Sequence, residues 1–188
     1  MVSGRNVGVL ALQGGVAEHA RMVESLGHRA RLVRRSTELS GLEALILPGG
    51  ESTTLTRLLK AFDLTEALQE AANRLPVLGT CAGLILLSRL GVLDVDVERN
   101  AFGSQVDSAT AQLPWRDGLV SAAFIRAPRV SRVGKGVEVC STWHDPRRPE
   151  AERSVVGVAV KRECGQAIGV SFHPELTGDT TIHQELLA

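Results

Sequence analysis

The chain has no tyrosine and only four phenylalanines and two tryptophans among its 188 residues, so its interior cannot rest on aromatic contacts. Leucine, valine, isoleucine and alanine must fill it, which suits a sheet covered by helices better than a β-sandwich. Neither sign of charge dominates, with 21 basic residues against 21 acidic ones. That balance removes the electrostatic case for nucleic acid or an anionic membrane as main partner. Cysteine is scarce and odd in number. Cys81, Cys140 and Cys164 make no disulfide framework and have no metal-site spacing, so a reducing, cytoplasmic compartment is expected. Long hydrophobic runs are missing too. The first apolar stretch, Val7 to Leu12, is too short for a signal sequence or a bilayer span. No proline-rich or serine-rich linker, repeat or low-complexity tract breaks the chain, and residues 1–188 are expected to form one domain.

What the chain does have is a short apolar run from Leu75 that passes through Gly79-Thr80-Cys81-Ala82-Gly83 into a helix-forming run ending at Leu90. A strand that reverses into a helix within one residue strains the central residue, and glycines on either side let the chain pass close by. This is the pattern of a nucleophile elbow centred on Cys81, with its sulfur expected to stand exposed over the sheet edge. The start of the helix turns free N–H groups and a positive dipole end toward that sulfur, and the same groups can hold an oxyanion. A free cysteine is more commonly a small buried hydrophobe; the two glycines argue against that here.

Strand-like runs at Val7 to Leu12, Ala30 to Val33 and Leu42 to Leu47 precede the elbow. Helical patterns lie between them, at Val16 to Leu26, after Thr53-Thr54 (Leu55, Leu58, Leu59, Phe62) and at Thr65 to Asn73. Such alternation predicts an α/β fold with a doubly wound, mostly parallel sheet flanked by helices. Functional loops in such sheets follow the carboxyl ends of strands, and Gln13, Gly49 to Ser52 and Cys81 all follow strands directly. Beyond the elbow, Val92 to Arg99, Val120 to Ile125, Val137 to Cys140, Val155 to Lys161 and Gln166 to Phe172 read as strands. They are expected to extend the sheet in antiparallel fashion, before a last helix at Thr180 to Leu187. His144 to Glu150 reads as a polar turn.

A cysteine nucleophile needs a base. Of five histidines, His19 and His28 sit in or just after the first helix, His144 in the polar turn and His183 in the last helix, all with ordinary structural readings. His173 stands apart, in Ser171-Phe172-His173-Pro174-Glu175 after a strand. In an extended segment, residues two apart share a side, so Glu175 can orient the His173 ring as the third member of a triad. The Gly49-Gly50 turn fits a tight connection, a phosphate cradle or an oxyanion donor. It lacks the lysine of a phosphate loop and carries Glu51, which favours the donor, worth about 3 kcal/mol in a transition state.

Several segments together carry a resemblance: Leu-Gln-Gly-Gly at 12–15, Leu-Pro-Gly-Gly-Glu-Ser-Thr-Thr at 47–54, Gly-Thr-Cys-Ala-Gly at 79–83, Val-Glu-Arg-Asn-Ala-Phe-Gly-Ser-Gln-Val-Asp-Ser at 97–108, Phe-Ile-Arg-Ala-Pro at 124–128 and Ser-Phe-His-Pro-Glu-Leu-Thr-Gly-Asp at 171–179. The chain resembles the glutaminase subunits of pyridoxal 5'-phosphate synthase, within the class I (triad) glutamine amidotransferases. The resemblance implies hydrolysis of L-glutamine to glutamate and ammonia by Cys81, His173 and Glu175, with the N–H groups of Gly50 and Ala82 as oxyanion donors. It implies glutamine contacts from Gly50, Glu51, Ser52, Arg99, Ile125 and Arg126, and no metal or organic cofactor. It also implies a (β/α)₈-barrel synthase partner in a large hetero-oligomer, with Gln13 and Gly49-Gly50 near the contact. One departure is a shorter segment between Ser88 and Val92 than the family usually carries. The rival reading is a catalytically idle or redox-sensing cysteine subunit, which would need neither the His173-Glu175 pair nor the Gly49-Gly50 donor. A thioesterase-like hydrolase would call for a long apolar pocket segment, and none is found.

Overall fold

The computed structural model describes residues 4–101, 109–145 and 153–188. Its first half alternates strands and helices: β1 (Asn6–Leu10), α1 (Val16–Ser25), β2 (Arg29–Val33), β3 (Ala44–Leu47), α2 (Ser52–Ala61), α3 (Thr65–Arg74), β4 (Val77–Thr80) and α4 (Ala82–Arg89). The second half is mostly strand: β5 (Val95–Glu98), β6 (Ala109–Trp115), β7 (Gly118–Phe124), β8 (Arg129–Val133), β9 (Glu138–Trp143), β10 (Ser154–Arg162) and β11 (Gly165–Val170), closed by α5 (Thr181–Leu187).

Among the described residues the main sheet runs β2-β1-β3-β4-β11-β10-β8-β5, with β9 also paired to β10. The five strands from β2 to β11 are mutually parallel, whereas β10, β9, β8 and β5 join antiparallel. The expected extension is therefore present, with two corrections. β11 inserts parallel to β4, and the expected strand Val120 to Ile125, β7 here, does not extend the main sheet but pairs with β6 in a separate two-stranded sheet. The sequence reading passed over β6 because Pro114 interrupts it, and proline is tolerated in strands only at edges and ends. It passed over β8 because arginines and a serine alternate with its two valines, which leaves a short, weak pattern.

The inner parallel strands β1, β3, β4 and β11 are mostly apolar on both faces because both faces are covered, whereas the edge strand β2 is largely exposed. Side chains alternate along β3: Ala44 and Ile46 join one core with Val23 of α1, Ile182 and Leu186 of α5 and the β6–β7 hairpin. Leu45 and Leu47 join the other, against Leu55 and Leu59 of α2, Leu68 of α3 and Leu84 and Leu87 of α4. Phe124 of the hairpin stacks on Trp143 at 4.2 Å and meets Phe172 edge-on, so these three aromatics form one cluster. No described helix is long and apolar enough to cross a membrane.

The short segment after Ser88 is a completed turn. Gly91, at φ 70°, ends α4 with its N–H on the Ser88 carbonyl while the Val92 N–H reaches Leu87, the paired bonds of a left-handed helix stop. The chain then enters β5 within a few residues. The strand order 2-1-3-4 reverses direction between β1 and β3, and crevices at the carboxyl ends of such strands bind ligands. The loops after β1, β3, β4 and β11 leave that edge from adjacent strands.

Candidate active site

Cys81 sits between β4 and α4 at φ 49°, ψ −103°. This is a left-handed backbone that a side-chain-bearing residue adopts only under constraint. The flanking glycines are required by contact. A Cβ on Gly79 would lie 2.6 Å from the carbonyl carbon of Gly83, and one on Gly83 would run into the Leu47 carbonyl group of β3. The strained elbow read from the sequence is present. The sulfur, however, is not exposed over the edge: Cys81 is only 7% accessible, because it forms the floor of a cavity of about 420 Å³.

Sheet register brings the base to the nucleophile. β4 and β11 pair with Thr80 opposite Val170, and the Cys81 N–H donates to the Val170 carbonyl at 2.8 Å. Three residues on, the His173 N–H is tied to Ala123 of β7 at 2.9 Å. His173 Nδ1 lies 2.7 Å from Glu175 Oε1, which leaves the other ring nitrogen for Cys81, and both residues line the same cavity. The partner residue is the one expected, but the path is not: Pro174 opens a 3₁₀ turn (Pro174–Leu176) in place of an extended segment. Proline's fixed φ suits that first helical position.

The electrostatics follow from burial and neighbours. Burial alone would lower the His173 imidazole, yet its bonds with Cys81 and Glu175 outweigh that and raise it to about 10. Burial alone would raise the Glu175 carboxyl, yet His19 and His173 outweigh it and hold the group well below the usual carboxylate range. An ionised Glu175 fixes the His173 tautomer and supports its protonated form.

The turn after β3 closes over this line. Gly49 packs so tightly on the His173 ring that an added Cβ would fall 3.0 Å from Nδ1 and 3.2 Å from Cys81 Cβ. Its carbonyl accepts from Gly15 at 3.1 Å and its N–H donates to Thr80 Oγ1 at 3.0 Å. Among the described residues the N–H groups of Gly50 and Ala82 have no hydrogen-bond partner, so both remain free for a ligand. Gln13 stays outside the cavity lining and acts on the turn. Its amide gives one hydrogen bond to the Glu51 carbonyl (3.1 Å) and takes one from the Glu51 N–H (3.2 Å).

The remaining expected ligands divide. Gly50, Glu51, Ser52, Arg99, Ile125 and Arg126 all line the cavity. Arg99 Nη1 reaches Thr53 Oγ1 at 3.2 Å, at the start of α2. Arg126, at φ 46°, is a second strained residue at the rim, beside Asn100 at φ 52°. The Glu51 carboxylate faces elsewhere. It caps α2 by accepting from the N–H groups of Thr53 and Thr54 at 2.9 and 2.6 Å, and the Thr54 hydroxyl and these N–H groups hold it at about 2.

Sequence reading missed the polar groups behind the site. His19 and His183, which have ordinary structural readings in the sequence, are fully buried. His19 stands between His183 and the Thr80–Glu175 pair. The only signal in the sequence was position, since His19 lies one turn past the Gln13-Gly14-Gly15 loop. Of the polar turn at His144 to Glu150, residues 146–150 lie outside the described residues, as do 102–108 of the Val97 to Ser108 segment.

A buried thiol on a strained elbow, bonded to an imidazole that a carboxylate orients, beside two free N–H groups, can attack a carbonyl carbon and stabilise the oxyanion formed. Comparison with known proteins agrees in kind. The sequence model of the SNO glutamine amidotransferase family matches residues 9–187. The chain is 49% identical over 195 residues to pyridoxal 5'-phosphate synthase subunit PdxT of Corynebacterium jeikeium (strain K411), covering 96% of this chain and 94% of that one. It is 47% identical over 196 residues to the subunit of the same name from Cutibacterium acnes, with the same coverage. A solved crystal structure of a glutamine amidotransferase superimposes with a TM-score of 0.84 at 40% identity, covering 96% of each chain. On the length and strength of these matches, the chain belongs to the SNO glutamine amidotransferase family.

Proposed function

We propose that the chain is a glutaminase that hydrolyses L-glutamine to L-glutamate and ammonia and delivers the ammonia to a pyridoxal 5'-phosphate synthase subunit. The observation that carries this reading is the line Cys81–His173–Glu175 on the cavity floor in a chain of this family. Cys81 attacks the side-chain amide carbon while its proton rests on His173, which Glu175 and Cys81 keep protonated. The N–H groups of Gly50 and Ala82 hold the tetrahedral oxyanion. His173 returns the proton to the departing nitrogen, ammonia leaves, and a thioester remains on Cys81. Water, giving a proton to His173, attacks the thioester and releases glutamate with the thiol restored. Glu175 holds the ring through both halves.

The α-carboxylate of glutamine calls for a cation. Arg99, held at the rim by Thr53, is our choice, with Ile125 and Arg126 closing the opposite side. Glu51 contacts substrate through its backbone, because its carboxylate is committed to the helix cap. Residues 1–188 act as a single glutaminase domain, in the cytoplasm, and the three unpaired cysteines fit that compartment. The partner is a (β/α)₈-barrel synthase subunit in a large hetero-oligomer, docking near Gln13 and Gly49.

Glutamate release from glutamine, measured for this chain alone and after mixing with the synthase subunit, tests the reading. Strong stimulation by the partner is expected. Activity at full rate without the partner would discard gating by assembly, and a folded protein inactive in both cases would discard the glutaminase.

A further inference from the structure

The triad accounts for one oxygen of Glu175. Its other oxygen, Oε2, is buried without a hydrogen-bond partner among the described residues, and His19 Nε2 lies 3.5 Å from it. That ring is fully buried, with Nε2 also 3.1 Å from Thr80 Oγ1 and Nδ1 2.9 Å from Nε2 of the equally buried His183. α1 and α5 thus each place an imidazole behind the site. Thr80 in turn accepts from the Gly49 N–H, so His19 touches both the triad carboxylate and the group that anchors the turn carrying Gly50. Two imidazoles in an apolar interior are costly unless their polar atoms are matched. Packing alone would be served better by leucine.

We propose that His19 is a positioning residue of the active site, its Nε2–H directed at Glu175 Oε2 and its ring fixed from behind by His183. The inference rests on the glutaminase reading for its kinetic consequences but not for its geometry. The proton position follows from counting satisfied groups. With the proton on Nε2, Glu175 Oε2 gains a donor close by. With Nε2 bare, a buried carboxylate oxygen faces a lone pair, and the Thr80 hydroxyl must serve His19 instead. Burial and the neighbouring His19 push His183 down to about 3, so the backing ring is uncharged at neutral pH and His19 is held by a neutral partner. The titratable groups acting on this cluster are His173, through Glu175, and Asp179 from the loop before α5, through His183; Glu18 and Cys81 line the neighbouring cavity.

His19 therefore keeps Glu175 ionised and aimed, and its loss lets burial raise that carboxyl. His19→Leu is expected to lower kcat about tenfold or more, with KM for glutamine little changed, and to move the acid limb of kcat to higher pH. His19→Gln, which keeps an N–H donor near the Nε2 position, is expected to restore most of the rate and the original limb. Rates are measured on the chain together with its synthase partner. An unchanged rate and profile in His19→Leu overturns the proposal, as does an equal, pH-independent loss in both variants, which would mark packing alone. A second readout needs neither folding of a variant nor the reaction. The ¹⁵N shifts of the histidine rings in the wild-type chain are expected to show His19 Nε2 protonated throughout pH 6–8. An unprotonated Nε2 overturns the proposal even if glutaminase activity is present, whereas a protonated Nε2 without activity would fault the glutaminase reading only.

Discussion

The parallel and antiparallel halves of the main sheet are built to different tolerances. Loops after the four adjacent strands β1, β3, β4 and β11 carry the nucleophile, its base and carboxylate, and both free N–H donors. They are packed until backbone meets backbone, as at Gly83 against Leu47 and Gly14 against Gly49. The antiparallel wing supplies the rim through Arg99, Ile125 and Arg126, and its far edge is held by exposed ion pairs such as Arg132 with Asp94 and Asp96 at 2.7 Å. The comparison separates positions where the backbone is the working part from positions where side chains are interchangeable. Chemistry that needs fixed N–H groups is placed in the first kind.

The largest expected effect removes the chemistry while leaving the scaffold. Cys81→Ala and His173→Asn should each cut glutamine hydrolysis by about 10⁴-fold or more with a cooperative melt retained. Next comes Gly83→Ala, one methyl group at the elbow. Because its Cβ must displace the β3 backbone, a loss of about 3 kcal/mol is expected in denaturant titration; a loss near zero would show that the elbow yields. A third test concerns pH. His183 is depressed from 6.5 to about 3, so below pH 6.5 the unfolded chain binds a proton that the folded chain refuses, and stability falls with pH. Each unit in that window costs about 1.4 kcal/mol at most. Glu175 is also depressed, so its charge contributes stability that is present above 4.5 and lost below it. His183→Leu should therefore flatten the denaturation midpoint between pH 6.5 and 4.5 and leave the steeper decline below. The smallest effect is expected in the wing. Arg132→Ala should leave activity and melting temperature unchanged within error, since exposed ion pairs contribute little.

The same division decides what could be read from sequence. β1, β3 and β4 are apolar throughout because both faces are buried, and each is followed at once by its functional loop, so strands and site residues were legible together. β6 and β8 were not: Pro114 breaks the alternation of Ala111, Leu113 and Trp115 in β6, and β8 offers only two valines among arginines and a serine. Cys81, His173 and Glu175 could be paired because their residue types and turns imply a chemistry. The Glu51 cap could not be told from a ligand, because both uses call for a carboxylate at the start of a helix. His19 and His183 are 164 residues apart, and nothing local announces that two helices will bring them to one carboxylate.

The pairing of β4 with β11 also has a consequence in time. Cys81 and His173 stand 92 residues apart, and the sheet joins them only when β11 slides between β4 and β10. Closing so long a loop comes late and slowly relative to the local βα units. A chain emerging from synthesis thus completes its elbow well before it owns a base, and its thiol stays idle until β11 has docked beside β4.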